Sequence, residues 1–348
     1  MAEVPRYPAD VALLLFGTDP QFAAHDTGRG HPERPARLEA VLAGVADAHL
    51  DGDLAPLAVR PALDDELERV HSARHLERLA DFTAAGGGAL DADTVAGPRS
   101  WDAARLAAGA GLAAIEALDR GDGSAAFLAV RPPGHHALPS VPMGFCLLNN
   151  VAVTAAALAD RGERVLIVDY DAHHGNGTQD IFYADPRVMY VSFHEWPLYP
   201  GTGRLDETGT GAGDGATVNL PLPAGATGDV YLRAFDEVVG PAVDRFRPSW
   251  VLVSAGFDAH RADPLTGLGL SAADYGLLAA RMAELAPEPG RLITFLEGGY
   301  DLDALRASVA ATLPALVGAT PLPAETPTAG GPGAVVVDAA ADLWRDRN

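Results

Sequence analysis

At 348 residues and 48% apolar content, the chain is long enough for a large α/β core in one or two units. A net charge of −22 leaves no basic footprint for phosphates, which argues against direct nucleic-acid binding and favours cationic partners such as lysine-bearing tails or polyamines. All 25 basic residues are arginine and Cys146 is the one cysteine, so Schiff-base chemistry, a P-loop and an intrachain disulfide are excluded.

In chain order, Val11–Phe16 reads as a first strand. It is too short for a signal core or a membrane span and lacks a basic flank, so a cytoplasmic protein with no membrane partner is expected. A loop with His25, Asp26 and the run His31-Pro32-Glu33-Arg34-Pro35 follows, and Pro35 opens a helix along Leu38, Val41, Leu42 and Val45. Leu67–Ala85 and Trp101–Leu118 read as further helices, the first ending at Gly86-Gly87-Gly88 and the second weakened in its middle by Gly109 and Gly111. His25, His49, His71 and His75 carry no partner signature and read as surface or core residues.

From Ala125 onward strands and helices alternate. Ala125–Val130, Arg164–Asp169, Val188–Phe193, Trp250–Ala255 and Arg291–Leu296 read as strands; Val151–Ala159, Val230–Phe246, Asp274–Leu285 and Leu302–Leu316 read as helices. The alternation predicts an α/β fold with a mainly parallel β-sheet flanked by helices. Gly201–Gly215 is expected as a surface loop. With no composition break between motifs, residues 1–317 read as one catalytic domain. Residues 318–348 read as a Pro/Gly/Ala-rich tail with a short Val335–Arg345 segment.

Chemistry gathers where the strands end. Val165–Val168 is a continuous apolar run, as in a strand buried on both faces, and Asp169, Asp171 and His173 follow two residues apart. Ala125–Val130 runs into RPPGHH with His135 and His136, Trp250–Val253 into SAGFDAH with Asp258, and Arg291–Leu296 into EGGY with Tyr300. In a parallel sheet these carboxyl ends share one edge, so the groups converge without being close in sequence. Two carboxylates and an imidazole are costly to bury without a counter-charge. Asp171, His173 and Asp258 therefore read as three ligands of a metal with a place left for water, the open pattern of catalytic zinc. A histidine of the His135–His136 pair would move the water's proton, Tyr300 would donate to a developing oxyanion, and Asp169 and Asn176 would fix the imidazole tautomers. His174 reads as structural, and His194 as support for the loop to Tyr199.

RPPGHH, GFCLLNN, DYDAHHGNGT, SAGFDAHRADPLTG and EGGYDL, in this order from about His31 to Leu302, resemble the histone deacetylase superfamily with its acetylpolyamine amidohydrolases and acetoin-utilisation proteins. The resemblance implies an arginase/deacetylase-like fold and a zinc-dependent amidohydrolase acting on acetylated lysine side chains or acetylated small amines. It implies Asp171, His173 and Asp258 as ligands of Zn2+, with Fe2+ able to substitute in the cell. His136 would be general base and acid, His135 with Asp169 an electrostatic helper, and Tyr300 the carbonyl-polarising group. Gly144 would offer its carbonyl to the substrate amide, Phe145 would line the acyl-lysine tunnel, and Tyr199 would stand where phenylalanine is common. A structural K+ would sit at Asp169, Asp171, His173, Ser192 and Phe193, mostly on backbone oxygens. Asn176 stands where class I enzymes carry aspartate, which is nearer class II. Leu265 replaces a glutamate gatekeeper of polyamine-selective relatives and leans toward acyl-lysine, while Asp91 or Asp93 would hold the substrate backbone at the rim.

Three rivals remain beside acetyl-lysine deacetylation: an acetylpolyamine deacetylase, a binuclear manganese ureohydrolase and a non-catalytic sensor of acetylated ligands. The manganese enzyme wants an aspartate where Gly175 stands, with His260 completing its second site. A homo-oligomer is compatible with the sequence.

Overall fold

The computed structural model describes residues 13–50, 52–320 and 325–345, so Val11 and Ala12 of the expected first strand lie outside it. The described strands are β1 (Leu14–Gly17), β2 (Leu54–Leu57), β3 (Gly88–Ala89), β4 (Val95–Ala96), β5 (Ala125–Leu128), β6 (Val165–Asp169), β7 (Val188–Glu195), β8 (Thr217–Leu222), β9 (Trp250–Ala255) and β10 (Leu292–Leu296). Eight of them form one sheet in the order β2-β1-β5-β10-β9-β6-β7-β8, with every neighbouring pair parallel. β3 and β4 make a separate antiparallel ribbon. A parallel sheet must be covered on both faces, which is why its central strands are unbroken apolar runs. Helices Ala36–Asp47, Ala272–Leu285 and Leu302–Leu316 pack together as one layer, and Ser100–Asp119 packs on Asn150–Asp160 as the other. No helix among the described residues is long and apolar enough to cross a membrane.

One local expectation is corrected, a second gains detail, and two edge strands join those read from the sequence. The single helix expected over Leu67–Ala85 is two, Asp64–Leu67 and Ala73–Ala84. Ser72 breaks it: its hydroxyl caps the His75 N–H at 3.3 Å while its own N–H donates to the Pro139 carbonyl at 2.9 Å. Val230–Phe246 is helical throughout but passes through a π-turn at Phe235–Val239. The edge strands β2 and β8 carry Pro56 and Pro221, which hid them in the sequence; an edge is where a sheet tolerates proline.

Gly109 and Gly111 do not weaken their helix; they let it approach its neighbours. A Cβ at Gly109 would lie 2.0 Å from the Arg60 carbonyl oxygen, and one at Gly111 would lie 1.9 Å from the Thr154 hydroxyl. Gly109→Ala, which favours a free helix by about 1 kcal/mol, is therefore expected to destabilise this protein by about 1–3 kcal/mol through overpacking. A thermal melt checks the sign; an unchanged or raised Tm refutes the close-approach reading.

The Pro/Gly/Ala-rich stretch lies along the fold. The Glu325 carboxylate accepts from the Ala272 N–H at 2.8 Å and pairs with His260 at 2.9 Å and Arg261 at 2.7 Å. The Thr328 hydroxyl donates to Asp274 at 2.8 Å, and the helix Ala334–Arg345 buries Val337, Ala340 and Trp344.

Candidate metal centre and active site

The sheet order sets β5, β10, β9 and β6 side by side, so their carboxyl ends deliver His135 and His136, Tyr300, Asp258, and the Asp169–His173 run to one edge. Ligand atoms of Asp171, His173 and Asp258 all lie within 4.8 Å of one another. His173 Nδ1 is 3.1 Å from Asp171 Oδ1 and 3.0 Å from Asp258 Oδ2. The other oxygen of each carboxylate is held by backbone: Gly298 N–H donates to Asp171 Oδ2 at 2.8 Å and Ala172 N–H to Asp258 Oδ1 at 2.9 Å. Glycine is required around them, since a Cβ at Gly256 would lie 2.1 Å from Asp171 Oδ2 and one at Gly298 would lie 2.2 Å from Asp258 Oδ2.

Burial, with Asp171 adding to it, pushes the Asp258 carboxyl up to about 7. Burial pushes Asp171 up as well, but His135 and His173 outweigh it and hold that carboxyl far below the usual range. Two buried carboxylates facing one imidazole form a donor set short of positive charge, and a divalent cation of the zinc type fits it. His260 does not join them: Nε2 is 2.9 Å from Glu325 and Nδ1 accepts the Ala262 N–H at 3.1 Å.

The adjacent imidazoles lie on the same side because Pro132-Pro133-Gly134 leaves no strand pleat to alternate them. Their ring centroids are 4.0 Å apart. His135 Nδ1 is 3.0 Å from Asp169 Oδ2, an oxygen that also accepts the Tyr190 hydroxyl at 2.9 Å. His136 Nδ1 is 2.8 Å from Asn176 Oδ1. Burial lowers His135, but Asp171 and Asp169 outweigh it and raise the ring to about 10. Burial, then the neighbouring His135 and His173, hold His136 well below the ordinary 6.5. One imidazole is thus kept charged and its neighbour neutral.

At the mouth the Phe145 ring meets Tyr300 edge-on at 5.8 Å, and the Tyr199 ring meets His136 edge-on at 5.2 Å. Gly144 has φ +55, and a Cβ there would sit 2.4 Å from the His136 ring; Phe145 holds the unusual φ of +68. Tyr199 and Leu265 are each 37% exposed, as rim residues would be. Exposed Asp91 folds back on its own turn, its Oδ1 accepting the N–H of Asp93 at 3.0 Å and of Thr94 at 2.6 Å, while half-buried Asp93 accepts the Thr94 hydroxyl at 3.4 Å. His31 braces this rim: Nε2 is 2.9 Å from the Asp93 carbonyl oxygen and its ring meets Phe145 at 4.7 Å. His174 turns to Thr202 at 2.8 Å and Gln179 at 2.9 Å, while His194 joins Ser192 to the Gly203 carbonyl, each at 2.9 Å. For the expected potassium site, Ser192 pairs in register with Asp169, and Phe193 follows it on β7.

Several supporting residues escaped sequence reasoning. Glu297 accepts the Gly134 N–H at 2.6 Å, the His135 N–H at 3.2 Å and the Ser254 hydroxyl at 3.0 Å, and burial pushes it up to about 7. Arg37 lies 5.1 Å over the Tyr300 ring and donates to the carbonyls of Gly299, at 2.7 Å, and Glu297. Fully buried Glu33 pairs with both Arg37 and Arg131. The signal was present: Glu33 and Arg37 are four apart in a stretch that otherwise starts an apolar helix face.

Comparison with known proteins bears on the family. A model of the histone deacetylase domain matches residues 31–316. The chain is 40% identical over 276 residues to the histone deacetylase-like amidohydrolase of Pseudomonas aeruginosa, covering 78% of this chain and 73% of that one. It is 40% identical over 329 residues to the chloroplastic histone deacetylase 10 of Oryza sativa, covering 88% and 74%. The crystal structure of an HDA15 HD domain superposes with a TM-score of 0.88 at 37% identity, over 96% of this chain and 94% of that one.

Proposed function

The chain belongs to the histone deacetylase family, and from that premise we propose that it is a zinc-dependent amidohydrolase removing acetyl groups from N-acetylated amines, with acetyl-lysine in proteins as the preferred substrate. The observation that carries the reading is the pair of adjacent buried imidazoles, 4.0 Å apart and anchored on Asp169 and Asn176, beside the Asp171–His173–Asp258 cluster.

Asp171, His173 and Asp258 would hold zinc, or Fe2+ as its substitute, which when bound would supply Lewis-acid polarisation of the acyl carbonyl and acidify a water. Neutral His136, its Nδ1 fixed by Asn176, takes the water's proton on the remaining ring nitrogen. Charged His135, anchored on Asp169, stabilises the negative charge that grows beside it. Tyr300 donates its hydroxyl to the oxyanion. When the C–N bond breaks, His136 returns the proton to the departing amine, and the acetate carries the water's oxygen. Gly144 orients the substrate amide, and Phe145 and Tyr199 exclude water along the aliphatic stem. Asp169, Asp171, His173, Ser192 and Phe193 would hold a structural K+, mostly on backbone oxygens.

Apolar Leu265 favours a lysine stem over a polycationic amine at the rim. A panel of acetyl-lysine peptides, acetylated polyamines and longer acyl-lysines tests the assignment. Acetyl-lysine peptides are expected to be turned over with the highest kcat/KM. Faster acetylpolyamine turnover would move the substrate to small amines. Tight peptide binding by metal-loaded protein without acetate release would make it a sensor.

A further inference from the structure

Tyr300 leaves β10 through Gly299, whose φ of +119 belongs to no regular structure, so no sheet bond fixes the tyrosine's backbone. Two side chains hold the Gly299–Tyr300 peptide instead: Arg37 donates to its carbonyl at 2.7 Å, and the Asp263 carboxylate accepts its N–H. Asp263 Oδ2 accepts the Tyr300 N–H at 2.7 Å and the Asp301 N–H at 3.4 Å, and its Oδ1 accepts the Leu265 N–H at 2.9 Å. Asp263 is buried, on the loop that leads from Asp258 to the rim, and these bonds go to backbone N–H groups rather than to a cation. Leu265 and Tyr300 come from loops after different strands, β9 and β10, and Asp263 ties one to the other.

We propose that Asp263 is the positioning residue of Tyr300: its carboxylate fixes the offset between the rim at Leu265 and the phenol, so that a stem seated against the rim presents its carbonyl to the hydroxyl. The inference rests on the reading of Tyr300 as oxyanion donor. Asp263→Ala leaves the N–H groups of Leu265 and Tyr300 without this acceptor and loosens the Gly299–Tyr300 peptide, which Arg37 then holds from its carbonyl side alone. Asp263→Asn keeps the shape, but one amide oxygen cannot serve both sides as two carboxylate oxygens do.

The test compares acetyl-lysine with trifluoroacetyl-lysine peptides, since the more electrophilic carbonyl depends less on the phenol. Asp263→Ala is expected to lower kcat on acetyl-lysine by about a hundredfold, the cost of a misplacement near 1 Å. The same variant should lose far less on trifluoroacetyl-lysine, with KM and bound zinc unchanged; Asp263→Asn should fall between it and the parent. In a Tyr300→Phe background the Asp263 changes should cost almost nothing further. Equal loss on both substrates, or full additional loss in the Tyr300→Phe background, overturns the proposal, as does full activity in a folded Asp263→Asn or Asp263→Ala protein. Undiminished acetyl-lysine turnover by Tyr300→Phe alone overturns instead the reading on which it rests.

Discussion

His136→Ala is expected to lower kcat/KM on the preferred acetylated substrate by about 100- to 10,000-fold, the usual worth of a positioned general base. Tyr300→Phe should cost about 100- to 1000-fold, as loss of one oxyanion donor does. Both variants should keep the fold and the bound metal, because neither group belongs to the three-ligand cluster. The pH profile separates the roles. His136 acts as base only when neutral, and burial followed by the charge of His135 holds its pKa below 6.5, the bound cation standing where a charged His173 acts in the metal-free protein. The acid limb of kcat/KM should therefore lie below pH 6.5, with activity lost as pH falls through it. Tyr300→Phe should lower the plateau without moving that limb. A steady-state profile on both variants checks this, and unimpaired turnover in His136→Ala removes the base from the scheme.

Stripping the metal with a chelator is expected to abolish turnover and to lower Tm, with one equivalent of zinc per chain restoring both. Binding to the native state alone adds about 4 kcal/mol when free metal is a thousandfold above Kd. The sign with pH follows from Asp258. Burial, reinforced by Asp171, raises its carboxyl to about 7 in the metal-free protein, so a proton must leave before the ligand can act. Burial lowers the His173 imidazole, but Asp171 and Asp258 outweigh it and raise the ring well above its ordinary value, so its proton must leave too. Zinc affinity should rise with pH through 7 and beyond, and fall as acid protonates Asp258. Asp258→Ala should lose tight binding while Asp171 and His173 remain. Calorimetric zinc titrations at several pH values measure this directly. Two metals per chain would favour the binuclear rival, and full activity after complete metal removal would end the metal-dependent scheme.

The sequence alone carried the fold class and the chemical set. Continuous apolar runs such as Val165–Val168 and Trp250–Val253 made central parallel strands legible, because a strand covered on both faces has no polar side to show. Each run ends in residues costly to bury, and parallel topology sends those ends to one edge; Asp171, His173 and Asp258 could therefore be grouped across 87 positions of chain before any coordinates. Only the tertiary structure decided how the groups are held. Nothing local told that Gly109 and Gly111 serve close packing rather than flexibility, or that β2 and β8 are strands despite Pro56 and Pro221. The opposite pKa shifts of His135 and His136 are set by burial and by Asp171 and Asp169 rather than by their shared sequence neighbourhood. The same holds for Glu297, Arg37 and Asp263, whose partners are backbone groups distant along the chain or beyond a loop. Periodicity and spacing record which side chains a strand or helix presents; long-range hydrogen bonds and the field inside the core exist only once the chain has closed on itself.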